Sequence, residues 1–160
     1  MMDVVLARID DRLIHGQVAT GWAKETKCQR IIVCNDDVAK DNIRKTLLVQ
    51  VAPPGVKASV VGIEKAIRVY KNPKYDGVRV LYLFTNPTDV LRMVEGGVDI
   101  KSVNIGGISF KEGKRQINTA ISVDDKDIES FKKLHEKGIE LEVRKISSDT
   151  KIDLMTLIDK

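Results

Sequence analysis

One of the two histidines of the chain lies in a short, highly charged segment near its start. The segment Arg8-Ile-Asp-Asp-Arg-Leu-Ile-His-Gly-Gln-Val18 places this histidine, His15, beside two carboxylates and two guanidiniums. A histidine in such a setting can act as a nucleophile, a base or a metal ligand. The nearby arginines, and the lack of further ligands at metal-binding spacing, favour a nucleophile that attacks phosphorus.

A phosphorylated imidazole would need positive charge and N–H donors around it, because the added group carries about two negative charges. Arg12 precedes His15 by three residues, so a tight loop can fold it back, and its fork of donors matches phosphate oxygens. Gly16 permits close approach of the backbone, and the following helix begins with unpaired N–H groups. Asp10 or Asp11 could accept a proton from the other ring nitrogen and fix the tautomer. This chemistry needs no metal.

Structural roles for the same residues remain as alternatives. Asp10 and Asp11 could form only a turn, and Arg12 could pair with them at the surface, where an ion pair contributes little. Arg8 ends the first predicted strand and could be only an interface or salt-bridge residue. Trp22 is expected in the core, because it lies on a short helix near Val18.

Short apolar segments alternate with helical patterns, which predicts a parallel α/β sheet. The predicted strands cover residues 4–8, 30–35, 57–61, 78–84, 102–105 and 141–144, with a weaker one at 119–123. The predicted helices cover residues 17–24, 38–51, 63–70, 124–137 and 150–158, and one that begins at Asn86-Pro87 and ends at Gly96-Gly97. The expected fold is a single domain over residues 1–160, with a doubly wound, mainly parallel open sheet and helices on both faces.

Ligands of open parallel sheets gather at the carboxyl ends of the strands. Polar and glycine residues that are distant in sequence follow the predicted strands at that edge. They are 10–15, Asn35-Asp36-Asp37, Gly62, Thr85-Asn86, Gly106-Gly107 and Arg144-Lys145. The pattern therefore predicts one polar site around His15.

Composition narrows the partners and the compartment. The net charge is +4 and aromatic residues make up 4%, which argues against nucleic acid. No apolar run approaches the roughly 20 residues of a membrane span, and no leader is visible, so a cytoplasmic location is expected. Cys28 and Cys34 flank one strand, roughly 20 Å apart, and are expected to be reduced. Neither a metal nor a cofactor is predicted, since metal-ligand spacings and nucleotide-binding glycine loops are missing.

The segment from Arg8 to Val18 resembles the active-site loop of the enzyme IIB component of the bacterial phosphotransferase system, mannose/fructose/sorbose family. The likeness covers essentially the whole chain and looks strongest to the mannose type. Its further motifs are Arg44-Lys-Thr-Leu-Leu, Gln50-Val-Ala-Pro-Pro-Gly, Phe84-Thr-Asn-Pro-Thr-Asp, Val94-Glu-Gly-Gly, Asn104-Ile-Gly-Gly and Gly138-Ile-Glu-Leu-Glu-Val-Arg. One departure is Gly21-Trp22, where mannose-type relatives often have Arg-Trp; it could weaken a partner contact.

The resemblance implies a phosphocarrier. His15 would accept a phosphoryl group on Nδ1 from a phosphohistidine of the IIA component. It would then pass the group to a hexose (mannose, fructose, sorbose or an amino sugar) bound in the membrane IIC–IID complex, the chain's one link to the membrane. Arg12 would bind the phosphate, Asp10 would orient the loop, and Arg144 would stabilise charge in the transition state. IIA and IIB are often fused in mannose systems, so the chain is expected to be a separate subunit or an excised domain.

Three other functions compete with this interpretation. A histidine phosphatase or mutase also uses a histidine after its first strand, but it resembles an Arg-His-Gly start, and Ile14 replaces that arginine here. A receiver-type switch would be phosphorylated on aspartate, yet Gly62 stands where that aspartate should follow the third strand. A plain sugar-binding module is weaker still, since few aromatic residues are available for stacking.

Overall fold

In the described part of the chain, seven strands form one open sheet with β1 at its centre. The structure, a computed structural model, describes residues 1–16 and 18–158. The strands are β1 (Asp3–Asp10), β2 (Arg30–Cys34), β3 (Lys57–Val61), β4 (Arg79–Phe84), β5 (Ser102–Gly107), β6 (Arg115–Gln116), β7 (Ser122–Val123), β8 (Glu140–Val143) and β9 (Ile152–Asp153). The order in the main sheet is β3-β2-β4-β1-β5-β8-β9, and β6 pairs with β7 in a separate ribbon. Neighbours in the main sheet are parallel, except that β9 runs antiparallel to β8.

Helices connect the parallel strands. A π-helical turn (Val18–Trp22) leads into α1 (Ala23–Thr26), and a 3₁₀ turn (Pro73–Tyr75) precedes β4. The remaining helices are α2 (Asp36–Lys40), α3 (Asn42–Gln50), α4 (Ile63–Lys71), α5 (Pro87–Glu95), α6 (Asp125–Glu136) and α7 (Leu154–Ile158). As predicted, Asn86 caps α5 by accepting from the amide of Asp89, and Pro87 occupies the first turn.

The two faces of the sheet bury two separate clusters of apolar side chains. Successive strand residues point to opposite faces, so Ile31 and Val33 of β2 join one cluster while Ile32 and Cys34 join the other. The first cluster also holds Trp22 and residues from α1 to α3, and the second holds residues from α4 to α7. The predicted mainly parallel sheet with helices on both faces is thereby confirmed.

Three predicted elements differ from the structure. The single helix expected at 38–51 is two helices, because Asn35 caps α2 and Asp41, in an extended conformation, caps α3. The helix expected at 150–158 begins only at Leu154, after β9 has paired with β8. The weak strand expected at 119–123 is reduced to β7, which lies outside the main sheet.

Smaller shifts affect the elements around the predicted site. The helix expected at 17–24 is the π-helical turn followed by α1, and Gln17 lies outside the described residues. β1 continues two residues past its predicted end, to Asp10, and β5 continues to Gly107. In the described part of the chain, no helix is long and apolar enough to cross a membrane.

Candidate active site

The loop after β1 turns back on itself and returns His15 to the end of its own strand. Leu13 has φ of 61°, a left-handed conformation that is uncommon outside glycine. Its amide donates to the carbonyl of Asp10 at 2.8 Å, and its side chain is fully buried. Burial of the Leu13 side chain holds this strained turn in place. The turn then determines the position of His15, two residues further along the chain.

Asp10 is the buried centre of the site. Its Oδ1 accepts from the amide and Nε of Arg12, both at 3.1 Å. Its Oδ2 accepts from Nη2 of Arg12 at 3.0 Å and from Nη2 of Arg8 at 3.1 Å, and it lies 3.1 Å from Nε2 of His15. One carboxylate therefore holds both arginines and the histidine of the charged segment.

The contact between His15 and Asp10 indicates which ring nitrogen carries the proton. An ionised carboxylate can only accept, so Nε2 carries the proton that it shares with Asp10. In the neutral imidazole the lone pair then lies on Nδ1. The His15 side chain is 21% exposed, so a reactant can reach the ring. The arrangement prepares Nδ1 to attack an electrophile.

The surrounding cations keep Asp10 ionised. Burial by itself would raise the pKa of Asp10, but the hydrogen bonds from Arg12 and His15 and the charge of Arg8 outweigh it, and the pKa lies below its ordinary value. The hydrogen bond to Asp10 raises the pKa of Arg12. Both charges of this pair are thus retained at neutral pH, and Arg12 is 57% exposed beside the histidine.

Arg8, for which the sequence offers the alternative of an interface or salt-bridge residue, forms a salt bridge with Asp10 and is fully buried in the site. Its guanidinium reaches Asp10, Asn104 and the backbone beyond β8, and it lies 5.1 Å from the ring centre of Trp22. One signal in the sequence could have revealed this role. Arg8 interrupts an apolar strand, and a buried charge must find partners.

Arg144, the fourth predicted site residue, forms an ion pair with Glu142. Its Nε and Nη2 donate to the carboxylate of Glu142, both at 2.9 Å, and its Nη1 donates to the carbonyl of Ser147 at 3.1 Å. The bond to Glu142 raises the pKa of Arg144. Its guanidinium also lies 5.0 Å from the ring centre of Trp22, the residue that Arg8 contacts. Arg144 therefore joins the site through this shared indole.

Other residues at the carboxyl edge also converge as expected. Asp11 accepts from the amide and the hydroxyl of Ser109, at 2.7 and 3.0 Å, which ties the loop after β5 to the histidine loop. Asn35 donates to the hydroxyl of Thr85 at 2.9 Å. A cleft of about 600 Å³ opens between these loops, and Arg12 borders it. Within residues 1–16 and 18–158, no group of three His, Cys, Asp or Glu side chains is placed to hold a metal.

The fold and the site together define a class of protein. An open parallel sheet presents a histidine with a prepared Nδ1 beside an exposed arginine, which fits a small α/β protein that handles phosphoryl groups. The family model described as "PTS system sorbose subfamily IIB component" matches residues 4–160. The chain belongs to this family.

Individual relatives of the chain carry names from the same system. The mannose-specific EIIAB component of the PTS of Escherichia coli K12 is 67% identical over 159 residues, which are 99% of this chain and 49% of that protein. The sorbose-specific EIIB component of Klebsiella pneumoniae is 52% identical over 99% of this chain and 97% of that protein. The crystal structure of the IIBSor domain of the sorbose permease from Klebsiella pneumoniae matches with a TM-score of 0.97 at 52% identity, over 99% of this chain and 97% of that one.

The chain thus spans about half the length of the mannose-specific relatives and nearly all of the sorbose-specific one. Its family is thus the IIB component of the PTS, sorbose subfamily, and these relatives are named as mannose-specific and sorbose-specific components of that system. This membership favours neither a histidine phosphatase or mutase nor a receiver-type aspartate switch.

Proposed function

We propose that His15 carries the phosphoryl group, on Nδ1, between a phosphorylated IIA protein or domain and a hexose held by a membrane IIC–IID complex. The observation that supports this most strongly is the 3.1 Å contact between Nε2 of His15 and Oδ2 of the ionised Asp10. With the proton on Nε2, which faces this acceptor, the lone pair of the neutral ring is on Nδ1. Arg12, the exposed cation beside the ring, is the proposed ligand of the phosphoryl oxygens.

The transfer proceeds in two displacements at phosphorus. In the first, the Nδ1 lone pair of His15 forms a bond to phosphorus, and the bond from phosphorus to the donor imidazole breaks with its electrons returning to that ring. In the second, a sugar hydroxyl attacks phosphorus and releases its proton to water, and the electrons of the P–N bond return to Nδ1. The protein contributes orientation and charge, since phosphoryl transfer depends mainly on these.

Helix α3 is the proposed contact for phosphorylated IIA. Ile43 and Leu47 are 77% and 58% exposed, so their apolar side chains lie open on one face of this helix. Arg44 neighbours them, borders the same cleft as Arg12, and gives the surface a positive rim together with Lys45. An apolar surface with an acidic rim is the complementary partner.

The chain is proposed to work in the cytoplasm and to reach the membrane only through IIC–IID. Its final acceptor would be a hexose of the mannose, fructose, sorbose or amino-sugar type. Neither a metal nor a cofactor has a step in the proposed transfer, because the phosphoryl group passes directly between nitrogen and oxygen nucleophiles.

Alanine substitution of each histidine in turn tests this function. The chain is incubated with radiolabelled phosphoenolpyruvate and the general phosphotransferase proteins, including IIA. Wild-type protein and a His135→Ala control, altered at the other, exposed histidine on α6, should take up label that is acid-labile and base-stable. His15→Ala should fold and take up none. Labelling of His15→Ala, or an acid-stable and base-labile label, would contradict the proposal and indicate another side chain.

A further inference from the structure

Both terminal nitrogens of Arg8 donate hydrogen bonds to groups inside the protein. Nη1 donates to Oδ1 of Asn104 and, at 3.0 Å, to the carbonyl of Arg144. Nη2 donates to Oδ2 of Asp10 and to the carbonyl of Lys145, both at 3.1 Å. One buried guanidinium therefore joins the end of β1, the strand β5 and the segment after β8.

Close packing against Gly106 and Trp22 fixes the position of the Arg8 guanidinium. A Cβ on Gly106 would lie 2.0 Å from Nη2 of Arg8, so the glycine is required by the close approach of the arginine. The indole of Trp22 covers the guanidinium, and its Nε1 donates to the carbonyl of Lys145 at 3.0 Å. Lysine could not replace Arg8, because its single ammonium cannot span four separate acceptors.

Arg8 and Arg12 both bind Asp10, but they differ in solvent exposure. The carboxylate carries one negative charge and binds two guanidiniums, so one positive charge is in excess. Arg8 is fully buried, whereas the Arg12 side chain is 57% exposed. If Arg12 leaves, Asp10 still has a buried counter-charge and a partner for His15. The excess charge is therefore the movable one.

We propose that Arg8 is a positioning residue for phosphoryl transfer, which holds Asp10 against Nε2 of His15 and so allows Arg12 to exchange Asp10 for the phosphoryl group on Nδ1. This inference rests on the proposed function of His15. Without Arg8, Arg12 would be the one remaining arginine bound to Asp10 among the described residues, and its departure would leave a buried carboxylate without that counter-charge. Arg8 thus acts through Asp10 and makes no contact with the phosphoryl group itself.

The first test follows the two guanidiniums in the wild-type chain by nuclear magnetic resonance before and after phosphorylation. On phosphorylation the Arg12 guanidinium signals should shift and the Arg8 signals should not. Before phosphorylation, His15 should be in the tautomer that is protonated on Nε2. Unmoved Arg12 signals, or a large shift of Arg8, would overturn the inference while leaving phosphorylation of His15 intact. A wild-type chain whose His15 takes up no phosphate would instead refute the proposed function.

The second test displaces the guanidinium in two ways. Arg8→Lys keeps the charge and loses the fork, and Gly106→Ala keeps the arginine and pushes it from its place. Arg30→Lys is the matched control, since Arg30 is also a strand arginine stacked on an aromatic ring, Tyr75, at 4.9 Å.

Each displaced variant should slow phosphate uptake by about ten- to hundredfold, because small misplacements of reacting groups cost rates of that order. Each should also yield a mixture of His15 tautomers, which a loss of stability alone would not produce. Arg30→Lys should keep the wild-type rate and tautomer. A wild-type rate and tautomer in a folded Arg8→Lys or Gly106→Ala would overturn the inference, and if neither variant folds, the signals of the wild-type arginines decide.

Discussion

Asp10→Asn should be a severe loss of stability as well as of activity. The change removes the carboxylate charge that faces Arg8, and both side chains are fully buried. An unpaired buried charge created by removing its partner costs about 3–5 kcal/mol. That is a large part of the roughly 5–15 kcal/mol that stabilises a typical domain. For a chain of 160 residues, the melting temperature should fall by about 6–20 °C.

The assay is urea unfolding at pH 7, followed by circular dichroism. Asp11→Asn is the matched control, because the hydrogen bonds from Ser109 lie at the surface and asparagine keeps an oxygen that can accept one, so the change should cost under about 1 kcal/mol. A loss of under about 1 kcal/mol in Asp10→Asn would refute the reasoning, since Arg8 would then not depend on this carboxylate for its charge.

The difference in unfolding free energy between wild type and Asp10→Asn should depend on pH in a defined direction. The pKa of Asp10 is lowered in the folded protein relative to its ordinary value of 3.8, burial being outweighed by the hydrogen bonds and charges around it. A carboxylate of this kind stabilises the fold above its ordinary pKa, and the contribution is lost as pH falls through the folded value. The difference between wild type and Asp10→Asn should therefore be full near pH 7 and shrink below about pH 4. A constant difference down to pH 3 would contradict the assigned charge.

Three further outcomes test other parts of the account. Arg12→Gln should slow phosphate uptake by about ten- to hundredfold, because a charge-assisted hydrogen bond contributes about 1.5–3 kcal/mol; an unchanged rate would remove its role. Ile43→Ser on α3 should weaken binding to IIA in titration calorimetry by about tenfold, whereas Ile152→Ser, at the opposite edge of the sheet, should not; equal effects would exclude α3 as the contact. Burial raises the pKa of the Cys34 thiol well above its ordinary value, so a thiol reagent should label Cys34 far more slowly in the folded protein than in urea; similar rates would contradict its burial.

The sequence predicted the main sheet well because its strands are short apolar runs between clear helix signals. Asn86-Pro87 marked a helix start that the structure confirms. Periodicity could not reveal the break in the helix at 38–51, because Asp41 fits a helical pattern and acts as a cap only through its own hydrogen bond. The strand β9 depends on pairing with β8, which a local pattern does not contain.

The site could be predicted only in part, for a similar reason. His15, Arg12 and Asp10 lie close in sequence, so their types and spacing indicated a common site. Arg8 and Arg144 differ, because what they do depends on residues far along the chain, and the two guanidiniums meet at Trp22. An arginine that interrupts an apolar strand indicates a buried charge, but the hydrogen-bond partners of Arg8 other than Asp10 lie far along the chain and only the structure identifies them.

The most direct test of the central claim is to locate the phosphorus in the phosphorylated chain. The protein is labelled with nitrogen-15 in its histidine rings, charged through IIA, and examined for the coupling between phosphorus and nitrogen by nuclear magnetic resonance. The expected result is coupling to Nδ1 of His15, with Nε2 still protonated toward Asp10. Coupling to Nε2, or a phosphoryl group on any other residue while the His15 ring is unmodified, would contradict the central claim.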